Sequence, residues 1–153
     1  MIKAEKTEIN KVHRTDVLEI FTDGAARSNP GKGACAYVFV LNNEIILEEV
    51  FYLGTITNNQ AEYQGLIRAL DKAIEYTRWN VKVFSDSELV INQMSANWRV
   101  KDSAIKKLYR DAAEMERGIQ NIEYFHVPRE NEYIKIVDEL CNKCINKHIG
   151  KTT

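Results

Sequence analysis

Val17-Leu18-Glu19-Ile20-Phe21-Thr22-Asp23-Gly24-Ala25-Ala26-Arg27-Ser28-Asn29-Pro30-Gly31 changes character in its middle. Up to Phe21 it is apolar and strand-like. From Asp23 it turns to Gly, Ala, Asn and Pro, the composition of a loop reaching Gly33. Outward from it, Ala34 to Leu41 reads as a second strand and Glu44 to Leu53 as a third, joined by Asn42-Asn43, a pair that tolerates positive φ. Connections this short make the three strands an antiparallel meander.

The period then changes. Leu66, Ile67, Ala69, Leu70, Ala73 and Ile74 recur at helical spacing within Ala61 to Tyr76. Val81 to Phe84 is a short buried strand. Ser85-Asp86-Ser87-Glu88 has the Ser-x-x-Glu form of a capping box and predicts a helix running to about Ala96. Ile105, Leu108, Tyr109, Ala112, Met115 and Ile119 predict another over Asp102 to Arg117. Ile122 to Val127 is a fifth strand, stopped by Pro128, and a last helix covers Ile134 to Lys147. The order βββαβααβα predicts an α/β domain with a five-stranded mixed sheet, three strands antiparallel and two parallel, flanked by helices.

A chain of 153 residues suits one domain, here 17–149, after a polar, flexible extension (1–16) and before a short tail (150–153). A domain of this size buries roughly 70% of its unfolded surface, so it needs no disulfide or structural metal. No apolar run is long enough to span a membrane, and the polar N-terminus lacks a signal-peptide core, so a cytoplasmic monomer is expected. Three cysteines, an odd number, suit a reducing compartment. The net charge of −1 confines any nucleic-acid binding to a local basic patch. Cys141, Cys144 and His148 form a CxxCxxxH face, but a structural zinc site needs a fourth ligand and no second such motif exists. Core packing is the expectation there.

Four acids stand at the edges of apolar runs. Asp23 and Asp86 follow strands, Glu62 shares a helical face with Leu66, Ala69 and Ala73, and Asp138 lies in the last apolar helix. Half-buried carboxylates need compensation, and several converging on one point invite divalent cations. Any one of them alone is equally a cap or a surface charge.

Four segments carry a resemblance: Phe21-Thr22-Asp23-Gly24-Ala25-Ala26-Arg27-Ser28-Asn29-Pro30-Gly31, Thr57-Asn58-Asn59-Gln60-Ala61-Glu62-Tyr63, Phe84-Ser85-Asp86-Ser87-Glu88-Leu89-Val90 and Val137-Asp138-Glu139-Leu140-Cys141-Asn142-Lys143. In this order, and on these element types, the chain resembles type 1 ribonuclease H over nearly all of 17–148. The resemblance implies an RNase H-like fold and endonucleolytic hydrolysis of the RNA strand of RNA–DNA hybrids, leaving 3′-hydroxyl and 5′-phosphate ends. Double-stranded RNA stays open as a second substrate. It implies two Mg²⁺ or Mn²⁺ ions per site. Asp23 would bridge them, Glu62 and Asp86 would hold the one near the leaving oxygen, and Asp138 the one that activates water. Hard cations of this kind take oxygen ligands and need no histidine or cysteine.

By the same resemblance Gly24, Arg27, Asn29, Thr57, Asn58, Asn59 and Ser87 fall at substrate-binding positions, the backbone groups reading RNA 2′-hydroxyls. Thr57 and Asn58 also precede a helix, so capping is a rival role. Arg99, Lys101, Lys106, Lys107 and Arg110, with Trp98 beside them, either hold phosphates or form a solvated helix face. Some family members insert a long basic handle near this region, where this chain has only a short connection.

The chain departs from the family before its last acid. Ile134 stands where an Asn is common, and Asn131 lies seven residues before Asp138. No loop histidine is evident. His126 falls inside the strand pattern and reads as a packing residue, which leaves Glu130 or Glu132 to take over part of the histidine's role. Two other readings remain: a hybrid-binding module without turnover, and a transposase- or integrase-like core. A binding module has no need of four mutually repelling carboxylates. A short chain with its fourth acid in the final helix argues against the second.

Overall fold

The protein is described here from a computed structural model covering residues 12–149. The expected extension and tail therefore lie largely outside the described residues. Within the former, Asp16 accepts from the His13 N–H, and the Asn80 side chain donates to the Arg14 carbonyl at 2.8 Å.

Ala34 to Val40 are all buried, the mark of a strand covered on both faces. This strand, β2 (Gly31–Leu41), lies between β1 (Leu18–Arg27) and β3 (Glu44–Ile56), both antiparallel to it. On the other side of β1, β4 (Asn80–Ser85) and β5 (Asn121–His126) pair parallel, giving the order β3-β2-β1-β4-β5. Among the described residues the helices are α1 (Asn58–Ala73), α2 (Glu88–Met94), α3 (Ser103–Glu116) and α4 (Glu132–Ile149). The expected mixed sheet and element order are what the chain adopts.

Period-two alternation splits the core. Leu18, Ile20, Tyr37, Phe39, Val81 and Val83 face α1, α2 and α3, meeting Leu66, Leu70, Val90 and Ile105. Phe21, Ala34, Ala36, Val38 and Val40 face α4, where Ile134, Val137, Cys141 and Ile145 recur at helical spacing. On this second face the rings of Tyr133, Phe21, Phe84 and Phe125 form a row with centroids 4.7, 4.6 and 5.2 Å apart, the first pair tilted and the other two stacked. No helix among the described residues is long and apolar enough to cross a membrane.

Two local readings are corrected. The segment after Asp23 is not a loop: β1 continues through Arg27, paired with β2 from Asp23↔Ala36 to Arg27↔Lys32, and only Ser28, Asn29 and Pro30 turn. Its small residues serve close packing. A Cβ on Gly24 would lie 2.2 Å from the Ala61 carbonyl carbon, because α1 crosses directly over it. The helix after β4 is not closed by a Ser85–Glu88 box either. Ser87 is the N-cap, accepting from the Val90 N–H at 3.3 Å, while the Ser85 hydroxyl accepts from the Ser87 N–H at 3.0 Å.

Candidate active site

β1 and β4 stay paired only to Phe21↔Phe84. Two residues on, β1 carries Asp23 alongside β2, while β4 ends and releases Asp86. Clefts at the carboxyl ends of parallel strands, where neighbours diverge, are where α/β sheets place their ligands. Glu62 enters this cleft from the first turns of α1. Its Oε1 accepts from the Gly24 N–H at 2.8 Å. Carboxylate oxygens of Asp23, Glu62 and Asp86 all lie within 4.8 Å of one another.

Three elements fix that convergence. Thr57 caps α1 with a full capping box, its hydroxyl accepting from the Gln60 N–H at 3.2 Å while Gln60 Oε1 accepts from the Thr57 N–H at 3.1 Å. Asn29 Oδ1 accepts from the Asn58 N–H at 2.9 Å, and Asn58 Oδ1 accepts from the Ala26 N–H at 2.8 Å. This reciprocal latch docks the β1–β2 turn on the start of α1. The rival capping role is therefore the one seen for Thr57, and both Asn29 and Asn58 have their carbonyl oxygens engaged within the protein. Asn59 is exposed on the first turn.

Burial governs the electrostatics. Asp23 is only 6% exposed. Loss of hydration, then repulsion from Asp86 and Asp138, pushes its pKa to about 7. Glu62 is raised well above the ordinary range, first by burial and then by Asp23 and Asp86. Asp86 is raised by burial, an effect opposed by the Arg129 guanidinium and, more weakly, by His126. Asp138 lies outside the three-carboxylate group but near enough to act on both Asp23 and Asp86. Carboxylates this crowded and dry resist ionising together, and an oxygen-only donor set of this kind fits a hard divalent cation.

His126 is not a packing residue. It ends β5 exposed, its Nε2 3.3 Å from the Asp86 carbonyl oxygen. The parallel register Ser85↔His126 brings it there, a cross-strand relation that periodicity within one strand does not reveal. Arg129 and His126 are thus the basic side chains that flank Asp86 and favour its charged form, whereas Glu130 and Glu132 are exposed. Arg129 was missed by sequence reasoning; its position directly after Pro128, beyond the end of β5, was the available signal. Asn131 caps α4, accepting from the Tyr133 and Ile134 N–H groups at 2.9 and 3.2 Å, while Ile134 is fully buried.

Asn142 was also missed. It lies one turn beyond Asp138, and its Nδ2 donates to Asp138 Oδ2 at 3.4 Å. Cys141 is buried, as expected, with its thiol 3.8 Å from the Asp23 carbonyl oxygen. Its CxxCxxxH partners do not converge as ligands: His148 Nδ1 is 2.9 Å from the Cys144 carbonyl oxygen, and its ring stacks on Tyr52 at 3.8 Å. Farther off, Trp98, Arg99, Lys106 and Arg110 line one open concavity of about 590 Å³ between α2 and α3. Lys107 instead pairs with Asp111 at 3.2 Å.

Sheet order and acid placement define the RNase H-like class. Residues 21–144 match the family described as reverse transcriptase-like. A ribonuclease HI of Halobacterium salinarum is 31% identical over 141 residues, covering 92% of this chain and 70% of that protein. A bifunctional protein of Mycobacterium tuberculosis is 38% identical over 130 residues, covering 83% of this chain. The chain spans 35% of that relative's length. The solved structure of LC11-RNase H1 in complex with RNA/DNA hybrid superposes with a TM-score of 0.81 at 33% identity, covering 86% of this chain and 99% of that one. The chain therefore belongs to the type 1 ribonuclease H family.

Proposed function

We propose that the protein is a divalent-cation-dependent endonuclease that hydrolyses the RNA strand of RNA–DNA hybrids, leaving 3′-hydroxyl and 5′-phosphate ends. The observation that carries this reading is the convergence of Asp23, Glu62 and Asp86 within 4.8 Å at the carboxyl ends of β1 and β4. A pair of Mg²⁺ or Mn²⁺ ions, when bound, supplies Lewis-acid stabilisation of the attacking and leaving oxygens. Asp23, Glu62, Asp86 and Asp138 would hold them, and Asp23 is the acid on which the charges of both Asp86 and Asp138 act.

The rest is done by groups of the chain. The Gly24 N–H orients the Glu62 carboxylate in the cleft. The Arg129 guanidinium adds positive charge beside Asp86, with the His126 imidazole next to it, where a phosphate would otherwise meet only carboxylates. Backbone along Gly24 to Arg27 and side chains of Asn59 and Ser87 are the proposed contacts to the duplex, together with the free amide N–H₂ groups of Asn29 and Asn58 and with Thr57. Ribose 2′-hydroxyls tell the RNA strand from DNA in such a site.

Cleavage of labelled hybrid, double-stranded RNA and double-stranded DNA with Mg²⁺, Mn²⁺ or EDTA tests the reading. Hybrid is expected to be cut only with metal, and Asp23→Asn is expected to lose at least about a thousandfold in kcat, since the acid expected to bridge both ions loses its charge. Near-normal turnover by that variant at saturating metal would remove the proposal. Efficient cutting of all-DNA duplex would favour a transposase-like reading instead.

A further inference from the structure

Arg27 is exposed at the end of β1, yet its guanidinium does not point freely into solvent. Its Nη2 donates to Asn142 on α4, to the side-chain Oδ1 at 3.2 Å and the main-chain carbonyl at 3.4 Å. That settles which way the amide faces: with its oxygen turned to Arg27, its nitrogen must face Asp138, and Nδ2 lies 3.4 Å from Asp138 Oδ2. The chain Arg27–Asn142–Asp138 has a direction, because a guanidinium only donates and a carboxylate only accepts. Asp138 is the one acid of the four without a place in the tight three-carboxylate group, and it sits on a helix rather than on the sheet. Its carboxylate needs an orienting partner more than Asp23 or Glu62 does, and Asn142 is positioned to be that partner.

We propose that Asn142 is a positioning residue for Asp138 and that Arg27 acts through it. Asn142 occupies Oδ2, turns Oδ1 toward the cleft and so presets the fourth ligand before metal arrives. Arg27 locks the amide, which ties the ligand on α4 to the turn that contacts the proposed hybrid. Groups that orient a ligand in this manner change metal affinity by about ten- to a hundredfold when removed. This inference rests on the metal-dependent reading given above.

The test uses binding alone, without nucleic acid. Mn²⁺ is titrated into metal-free full-length protein by calorimetry, with free Mn²⁺ read by electron paramagnetic resonance. Asn142→Ala is expected to weaken the weaker-binding Mn²⁺ about tenfold, and Arg27→Ala to weaken it by a smaller factor. The double variant is expected to match Asn142→Ala within twofold, because Arg27 has no effect once its relay is gone. Both positions lie at or near the surface, and alanine favours the helix at 142. Should Asn142→Ala nevertheless misfold, Arg27→Ala against wild type still decides, since unchanged Mn²⁺ affinity there overturns the relay.

Affinity for Asn142→Ala within twofold of wild type would overturn the proposal, as would independent, multiplying effects of the two substitutions. Asp23→Asn is run beside them. If it binds Mn²⁺ as wild type does, the metal-site reading itself falls and takes this inference with it. If only Asn142→Ala behaves as wild type, the metal site stands and the positioning role alone is lost.

Discussion

Asp23 is where the cost of the site is concentrated. Burial raises its pKa from an ordinary 3.8 to about 7, so the folded, metal-free protein holds a proton that the unfolded chain releases near pH 4. A raised folded-state value favours folding below the unfolded pKa, and that advantage is lost as pH rises through the folded one. Metal-free protein should therefore lose thermal stability between about pH 4 and 7. Glu62, raised for the same reason, reinforces the trend. Asp23→Asn removes one charge and should raise the metal-free melting temperature at pH 8 by about 2–6 °C while flattening this pH dependence. Saturating Mn²⁺ should narrow the difference by stabilising wild type more. Scanning calorimetry across pH with and without metal checks both signs, and a wild-type curve flat between pH 4 and 7 would contradict the electrostatics.

At the scale of elements, α1 and β1 make the contact on which the site depends. Gly24 has no room for a Cβ, with Ala61 and Glu62 backbone atoms 2.2 and 2.4 Å from where it would stand. Gly24→Ala should force α1 away from β1, costing about 1–3 kcal/mol or more and breaking the N–H bond to Glu62. A lower urea midpoint together with weakened Mn²⁺ binding is the expected pair of observations; an unchanged midpoint would mean the contact relaxes freely. Gly24 also shows where sequence reading stops. Element types were legible from hydrophobic period, and the three acids that converge, Asp23, Glu62 and Asp86, from their places near element ends. Whether a Gly-Ala-Ala segment is a loop or a tightly covered strand depends on what crosses it, which no local pattern states. The same holds for His126, whose strand period was read correctly. Its exposure at the edge strand's end follows from the neighbouring β4 ending at Ser85. Asn142 was within reach, since its i+4 spacing from Asp138 is a contact distance on any helix.

For the whole molecule, the net charge of −1 means that attraction to a polyanion has to be local. Trp98, Arg99, Lys106 and Arg110 share one concavity, with Lys101 on its neighbour, and Trp98 is 46% exposed, so an aromatic face is available beside the cations. If this surface meets the duplex, the Arg99, Lys101, Lys106, Arg110 to Ala variant should raise KM and flatten its salt dependence, with maximal rate near wild type. Every cation that truly neutralises a phosphate should, once replaced, reduce the log–log slope by about one. Initial rates over a KCl series decide it, and an unmoved slope would mark these side chains as an ordinary solvated face. The bond from Arg27 to Asn142 spans 115 residues and joins the first hairpin to the last helix. Time enters here. A ribosome making this chain delivers Asp23, Glu62 and Asp86 well before Asp138, and helix α4 has no partner face until the sheet it covers exists. A site that uses all four acids is thus incomplete until α4 has been made and has closed over the sheet.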